Sequence, residues 1–186
     1  MNTNEFYRLK IYSPEAITPF ALYMRGKFPF YIGSEYGKHP EALFPIIIED
    51  LQNLSFRDQS FDCIIVNDVF EHLPDLDKAL SEILRCLKKG GYLLSTFPFL
   101  YMSEDSKIKA RLKPTGEVEY LEVPEYHGNP VDPSKGSLVF QILGWDILKK
   151  LTLTGFKLAE MIFILSEKYG ILCPNISGCF VCVAQK

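Results

Sequence analysis

Short apolar runs alternate with polar and helical segments along most of the chain. Continuous apolar runs of strand length predict strands that are covered on both faces, which is typical of a parallel sheet in an α/β fold. Four of the first five runs end in polar or acidic residues. Ligands of open α/β sheets bind just beyond the carboxyl ends of the strands, so we expect a site there. The predicted strands are 8–12, 28–34, 45–48, 61–66, 92–97, 157–165 and 178–184.

The clearest helical spacing places six apolar residues of 76–87 on one face. It predicts a helix with Pro74 in its first turn and its last turn at Lys88 and Lys89, capped by a left-handed Gly90 or Gly91. A second helix is predicted at 18–26, with Thr18 as N-cap and Pro19 at the first position. A third is predicted at 145–154 and ends at Gly155, and a short helix is predicted between the second and third strands.

Residues 104–136 are rich in proline, glycine and charge, which is typical of a functional lid or a disordered insertion. The two strands that follow have no crossover helix between them, so they form an antiparallel hairpin or lie apart. We therefore predict an α/β fold: a doubly wound, mostly parallel sheet that ends in an antiparallel strand, with a lid-like insertion after the fifth strand. A length of 186 residues favours a single domain, 1–186.

Composition narrows the function classes. A hydrophobic fraction of 47% excludes a disordered chain, and a net charge of −3 disfavours nucleic-acid binding. The odd number of cysteines and the absence of a signal peptide or a membrane-length apolar run predict reduced core thiols in a cytoplasmic protein. Cys179 and Cys182 stand three apart on a predicted strand, and His39, His72 and His127 are scattered along the sequence, so we predict no metal site.

An ordered series of motifs fills 45–97: Glu49-Asp50-Leu51, Leu54-Ser55-Phe56, Ser60-Phe61-Asp62, Val69-Phe70-Glu71-His72, Glu82 to Leu87 and Lys89-Gly90-Gly91. Together they resemble the class I S-adenosylmethionine-dependent methyltransferases, of the type 11-like group. The segments at 11–16, 32–36, 125–130 and 144–146 resemble a subgroup that often accompanies glycosyltransferases of surface polysaccharides. The resemblance implies S-adenosylmethionine as cofactor, O-methylation of a small-molecule or saccharide acceptor, and association with glycosyltransferase machinery.

The resemblance also implies roles for the strand ends. Glu35 ends the second strand and would bind the ribose diol, the alternative being a solvated acid. Asp50 would accept from the adenine amino group while the Leu51 amide faces a ring nitrogen. Glu49 is the rival acid, and strand alternation allows only one of the two to face the cofactor.

Residues 13–16, Ser-Pro-Glu-Ala, replace the family's glycine-rich loop after the first strand. Without glycine, positive φ angles are strained and Cβ atoms crowd the cofactor, which favours weak binding. Ser13 and Glu15 are the candidate cofactor contacts in this loop, and Glu15 would either meet the cofactor ammonium group or cap the next helix. Asn67, Asp68 and Val69 would line the methionine half, Asp68 being equally plausible as a cap or Asx-turn residue.

Tyr126 and His127 are the candidate catalytic residues. They lie in the insertion, where an aromatic ring and an imidazole can clamp an acceptor, with His127 as a general base. The alternative is that this segment only covers the sheet edge. His72 is interpreted as a structural hydrogen-bonding residue rather than a catalytic one.

Two other functions compete with methyl transfer. The glycine-free loop is compatible with a degenerate, non-catalytic binding or scaffold module, although Glu35 and Asp50 argue against it. A nicotinamide-dependent oxidoreductase is disfavoured because the chain lacks G-x-G-x-x-G and has the wrong strand ending.

Overall fold

The computed structural model describes residues 3–37, 46–129, 134, 136–172 and 178–186. Within them, the helices are α1 (Thr3–Phe6), α2 (Pro19–Lys27), α3 (Leu76–Cys86) and α4 (Asp146–Thr154), with one 3₁₀ turn at Phe70–His72. The strands are β1 (Ile11–Ser13), β2 (Tyr31–Glu35), β3 (Ile47–Ile48), β4 (Phe61–Asn67), β5 (Leu87–Thr96), β6 (Lys107–Ile108), β7 (Ala110–Leu112), β8 (Val118–Tyr120), β9 (Tyr126–His127), β10 (Ser137–Leu138), β11 (Gln141–Ile142), β12 (Leu158–Ile164) and β13 (Cys179–Gln185).

The main sheet has the strand order β12-β13-β5-β4-β1-β2-β3. Strands β3, β2, β1, β4 and β5 are mutually parallel, and β13 runs antiparallel to both of its neighbours. This confirms the predicted doubly wound sheet and its antiparallel ending. Strand β1 lies between β2 and β4, so the chain leaves β1 to one side and later returns on the other. A cleft opens at such a switch point.

Two predicted helix boundaries are confirmed. Thr18 Oγ accepts from the Ala21 amide over 3.1 Å, and Pro19 occupies the first position of α2, where its missing N–H costs nothing. Helix α4 ends at Gly155, whose φ of 118° is easily adopted only by glycine.

The end of α3 differs from the prediction. Asp75 caps the helix, and the predicted apolar face is buried at Leu76, Ala79, Leu80 and Ile83. The helix ends at Cys86, however, rather than at Lys89. Leu87 is fully buried and pairs with Phe61 in the sheet, so strand pairing replaces the expected last helical turn and the glycine cap.

The insertion is more regular than predicted. Its described residues form short antiparallel ribbons, in which β6 pairs with β11, β7 with β8, and β9 with β10. The ribbons dock on the 3₁₀ turn, because the Phe140 amide donates to Glu71 O and the Gln141 side chain donates to Phe70 O and Leu73 O. The short helix predicted between the second and third strands concerns a segment whose residues 38–45 lie outside the described residues. Helix α1 was not predicted from the sequence.

One arginine fixes the loop between β3 and β4. Arg85 donates to the carbonyl oxygens of Leu54 and Phe56 at 2.9 and 2.8 Å and pairs with Glu82 and Asp58. Helix α3 therefore holds the loop that begins just after the predicted adenine-binding residues.

The described cysteines, at 63, 86, 179 and 182, all carry free thiols. Cys86 and Cys182 are buried in the core, and burial raises the pKa of both thiols, to about 11 and about 12. Among the described residues, no helix has the length and apolar character needed to cross a bilayer.

Candidate active site

Glu35 closes the glycine-free loop after β1. Its side chain is 8% exposed, and its Oε1 accepts from the backbone amides of Ala16 and Ile17 over 2.8 and 3.1 Å. The carboxylate is therefore buried rather than solvated, and one of its oxygens orders the loop. Two amides on one carboxylate oxygen give charge-assisted hydrogen bonds, which are stronger than neutral ones.

Gly33 lets this loop lie against β2. A Cβ at Gly33 would stand 2.5 Å from the carbonyl oxygen of Glu15 and 3.1 Å from the Cα of Ala16. Both are backbone atoms, which cannot swing aside as a flexible side chain can. The glycine that permits close approach here thus lies on the neighbouring strand instead of in the loop. The described residues of the loop itself have no positive φ angle.

Glu15 joins the ends of β1 and β4. Its carboxylate accepts from Ser13 Oγ at 3.1 Å, from Thr18 Oγ at 2.5 Å and from Asn67 Nδ2 at 2.7 Å. The N-cap of α2 is Thr18, and Glu15 acts only as the acceptor that orients it. Of the two predicted roles, direct capping is therefore wrong, and Glu15 is left as an anion at the switch point.

Past β3, the two neighbouring acids do different things. Glu49 is buried and bonds with both oxygens to the amide and hydroxyl of Ser55. Asp50 is half-buried, and its Oδ1 accepts from the backbone and side chain of Gln52. Both oxygens of Glu49 already accept hydrogen bonds, whereas Asp50 Oδ2 accepts none from the described residues, so Asp50 is the acid that can receive a ligand at this strand end. Leu51 packs its side chain into the core.

The chain leaves β4 through a strained residue. Asp68 has a φ of 49°, the left-handed region, and its amide donates to Thr96 O over 2.8 Å. Burial, and then the negative charge of Glu15, raise the pKa of the Asp68 carboxyl. Asn67 is thus the last residue of β4, and Asp68 and Val69 lead from it into the 3₁₀ turn. Their contact with the methionine half of the cofactor stays a prediction.

A buried acid stands in that turn. Glu71 is fully buried, and neither carboxylate oxygen has a hydrogen-bond partner among the described residues. Burial raises the pKa of the Glu71 carboxyl to about 7. Leaving a carboxylate unpaired in an interior is expensive, so an acid in this state is expected where function requires it.

Two histidines far apart in sequence meet at Glu71. Glu71 Oε1 lies 3.8 Å from His72 Nε2 and 3.7 Å from His127 Nδ1, and the imidazole rings are edge to face at 5.3 Å. We call Glu71, His72 and His127 the histidine–glutamate cluster. His72 Nδ1 donates to Leu138 O over 2.9 Å, which provides the structural hydrogen bond expected for His72.

The structure does not bring the two predicted catalytic residues together. His127 joins the cluster, but the adjacent Tyr126 projects from the other face of β9, is 54% exposed and hydrogen-bonds to Tyr120. Glu71 was missed as a site residue because it sits in a Glu-His pair that is common in this fold. The sequence signal for Glu71 was an acidic residue on the apolar side of the turn. His127 lies close to Glu71 only because the insertion docks on that turn.

Comparisons with known proteins agree with this architecture. Residues 32–95 match the family model described as a methyltransferase domain. A demethylmenaquinone methyltransferase of Bacteroides fragilis is 50% identical over 46 residues, which are 25% of this chain and 19% of that protein. The chain thus spans about a fifth of the length of this relative.

Solved structures extend the similarity to the whole fold. An S-adenosylmethionine-dependent methyltransferase from Mesorhizobium loti has a TM-score of 0.60 at 16% identity, covering 96% of this chain and 91% of that one. Phosphoethanolamine N-methyltransferase 2 of Haemonchus contortus, in complex with S-adenosyl-L-methionine, has a TM-score of 0.53 at 15% identity, covering 96% and 49%.

The sheet order and the strand-end acids define a protein with the class I methyltransferase fold. Residues 32–95 are similar to the methyltransferase domain, and the solved S-adenosylmethionine-dependent methyltransferases share the fold of the chain.

Proposed function

We propose that the protein binds S-adenosylmethionine across the carboxyl ends of β3, β2, β1 and β4 and transfers its methyl group to a small-molecule acceptor. The observation that carries this proposal is the alignment of Asp50, Glu35 and Glu15 at the ends of three adjacent parallel strands, β3, β2 and β1. An extended ligand with adenine, ribose and amino-acid parts needs acceptors in that order.

The described contacts suit each part of the cofactor. Asp50 accepts from the adenine amino group and the Leu51 amide donates to the ring. Glu35 has Oε1 bound to the loop, which leaves Oε2 for the ribose hydroxyls. Glu15 supplies an anion for the α-ammonium group, in a position that Asn67 fixes.

The methyl group would then lie beyond the end of β4. Asp68 leads from that strand end directly into the 3₁₀ turn with Glu71 and His72, so an acceptor would be presented from the histidine–glutamate cluster. Because the sulfonium methyl is intrinsically reactive, most of the rate gain comes from holding donor and acceptor in line.

We assign a hydroxyl acceptor, and hence O-methylation. A neutral hydroxyl must lose its proton, and the imidazole nitrogens and the carboxylate of the cluster can accept one. A sugar hydroxyl, and a place beside glycosyltransferases, rest on the resemblance of segments 11–16 and 125–130 to the polysaccharide-associated subgroup. Exposed Tyr126, on the outer face of the same ribbon, is proposed to contact a larger part of the acceptor rather than the reacting atoms.

One observation favours the second candidate, a non-catalytic binding module. Glu35, the predicted ribose acid, already spends one oxygen on the loop amides that a glycine-rich loop would leave free for a ligand. In that case the strand ends would hold the fold together and bind no cofactor.

The experiment supplies the protein with S-adenosylmethionine labelled in the methyl group and with a panel of sugar, quinol, amine and catechol acceptors. We expect a labelled product with the wild type and none with the Glu35→Ala variant. Thermal shifts with S-adenosylhomocysteine and with NADH separate the competing functions. A shift with NADH alone, or with neither ligand at millimolar concentration, would reject the proposal.

A further inference from the structure

We propose that Glu71, His72 and His127 form a binding site for one divalent transition-metal ion, with Zn²⁺ as the reference ion. Each of the three side chains offers one ligand atom, and these atoms all lie within 4.8 Å of one another. The site lies next to the strand ends assigned to the cofactor but shares no residue with them.

In each histidine, one ring nitrogen has a hydrogen-bond partner outside the cluster, and the other, unprotonated nitrogen faces Glu71. A carbonyl oxygen can only accept, so His72 Nδ1 carries the proton that it shares with Leu138 O, and Nε2 has the lone pair. His127 Nε2 lies 3.2 Å from the Glu125 carboxylate, which leaves Nδ1 to face Glu71. Metal-binding histidines are held by such partners: a backbone carbonyl or a carboxylate on the nitrogen that does not bind the ion.

The outer carboxylate is itself fixed. Lys109 forms an ion pair with one oxygen of Glu125, Oε2, and the other oxygen, Oε1, faces His127 Nε2. Glu125 is therefore held in place as the acceptor that sets the tautomer of His127.

The separations of 3.7 and 3.8 Å from Glu71 Oε1 to the two nitrogens are too long for hydrogen bonds. Ligand atoms at about 2.0–2.2 Å from a zinc ion lie roughly 3–3.5 Å apart. The two separations from Glu71 would therefore shorten by a few tenths of an ångström on binding, and the two nitrogens, now within 4.8 Å of each other, would close to the same spacing. Such an ion would also pair the otherwise unpartnered, fully buried carboxylate of Glu71.

The ligand set selects the class of ion. Two imidazoles and one carboxylate suit Zn²⁺ and other transition metals, with one or more positions left for water or substrate. Mg²⁺ and Ca²⁺ prefer oxygen ligands throughout, so they should compete poorly.

The role of the ion rests on the proposed function. A hydroxyl acceptor that coordinates the ion is acidified and gives its proton to solvent. Its oxygen lone pair then bonds to the methyl carbon as the carbon–sulfur bond breaks, and that bonding pair stays on sulfur in S-adenosylhomocysteine. His127 is in this case a metal ligand, and the ion takes over the task of a general base.

The test uses the full chain, stripped with a chelator and titrated with Zn²⁺, and with Co²⁺ as a spectroscopic probe. We expect one ion per chain and visible Co²⁺ absorption of an ordered site, both unaffected by millimolar Mg²⁺. His127→Gln should weaken binding at least 100-fold. Glu125→Gln should weaken it about 10-fold, as expected for loss of an outer partner.

Glu119→Gln, on the exposed strand β8, is the matched control and should bind like the wild type. A Glu71→Gln variant could fail to fold, because Glu71 is fully buried. The His127→Gln variant changes a half-exposed residue, and circular dichroism checks that it is folded. Absence of binding at 100-fold excess ion, or equal binding by wild type and His127→Gln, would overturn the proposal. Calorimetry with S-adenosylhomocysteine runs in parallel, so loss of the cofactor function and loss of the metal site are read separately.

Discussion

The side-chain amide of Asn67 donates to the carboxylate of Glu15 over 2.7 Å and so joins the carboxyl ends of β4 and β1. The same carboxylate orients Thr18, the N-cap of α2. One hydrogen bond therefore connects the glycine-free loop, a helix start and the strand that leads into the histidine–glutamate cluster.

Replacing Asn67 by alanine tests this connection. We expect affinity for S-adenosylhomocysteine to fall by about 5–30-fold, because a charged hydrogen bond worth about 1–2 kcal/mol no longer positions Glu15. Titration calorimetry measures the change. An affinity equal to that of the wild type would show that the position of Glu15 does not matter to the ligand.

Gly33→Ala should displace the loop. The new Cβ would meet the Glu15 carbonyl oxygen at 2.5 Å, so we expect a loss of about 1–3 kcal/mol in unfolding free energy and at least ~10-fold weaker ligand binding. The matched control is Gly26→Ala in α2, where nothing lies within 4 Å. It should stabilise the protein by about 0.5–1 kcal/mol. Equal effects of the two substitutions in urea unfolding would refute the close approach.

Arg85→Met should lower the free energy of unfolding by about 2–3 kcal/mol at neutral pH, since two carbonyl oxygens and two carboxylates lose their donor. Exposed Arg111→Met should change it by less than about 0.5 kcal/mol.

The effect of Arg85 should depend on pH. Its hydrogen bond lowers the pKa of the Glu82 carboxyl. A lowered folded-state pKa stabilises the fold above the unfolded pKa, about 4.3, and this stabilisation is lost as the pH falls through the folded value. The difference between wild type and Arg85→Met should therefore shrink towards pH 3 in denaturant titrations. A difference that grows on acidification would contradict the assignment.

Tyr126→Ala should leave affinity for S-adenosylhomocysteine within about 0.5 kcal/mol of the wild type, as expected for an exposed residue away from the ligand. Methyl transfer to an identified acceptor should weaken through KM rather than kcat if Tyr126 contacts the acceptor away from the reacting atoms. A large loss of cofactor affinity would place Tyr126 in the cofactor pocket.

The parallel sheet could be predicted because most of its strands are apolar runs with a polar end, such as 61–66 before Asn67. The end of α3 could not, because Lys88 and Lys89 suit a helix end locally while pairing of Leu87 with Phe61 decides the boundary. The strand-end acids followed from their positions. Two roles could not be predicted, because they arise from tertiary contacts: Glu35 accepts hydrogen bonds from the loop, and Gly33 leaves room for the loop backbone.

The histidine–glutamate cluster was hidden for the same reason. His72 and His127 have no metal-binding spacing in sequence, and the irregular composition of 104–136 concealed ribbons whose docking carries His127 to Glu71. The predicted catalytic role of Tyr126 and the assigned cofactor contacts remain predictions.

The most direct measurement is titration calorimetry of S-adenosylhomocysteine into the wild type and Asp50→Ala. We predict one site per chain with a dissociation constant between about 1 μM and 1 mM, equivalent to about −8 to −4 kcal/mol. Asp50→Ala should bind about 5–150-fold more weakly and stay folded, because its carboxylate lies at a strand end rather than in the core. No heat and no thermal shift with the wild type at millimolar ligand would contradict cofactor binding at this edge of the sheet.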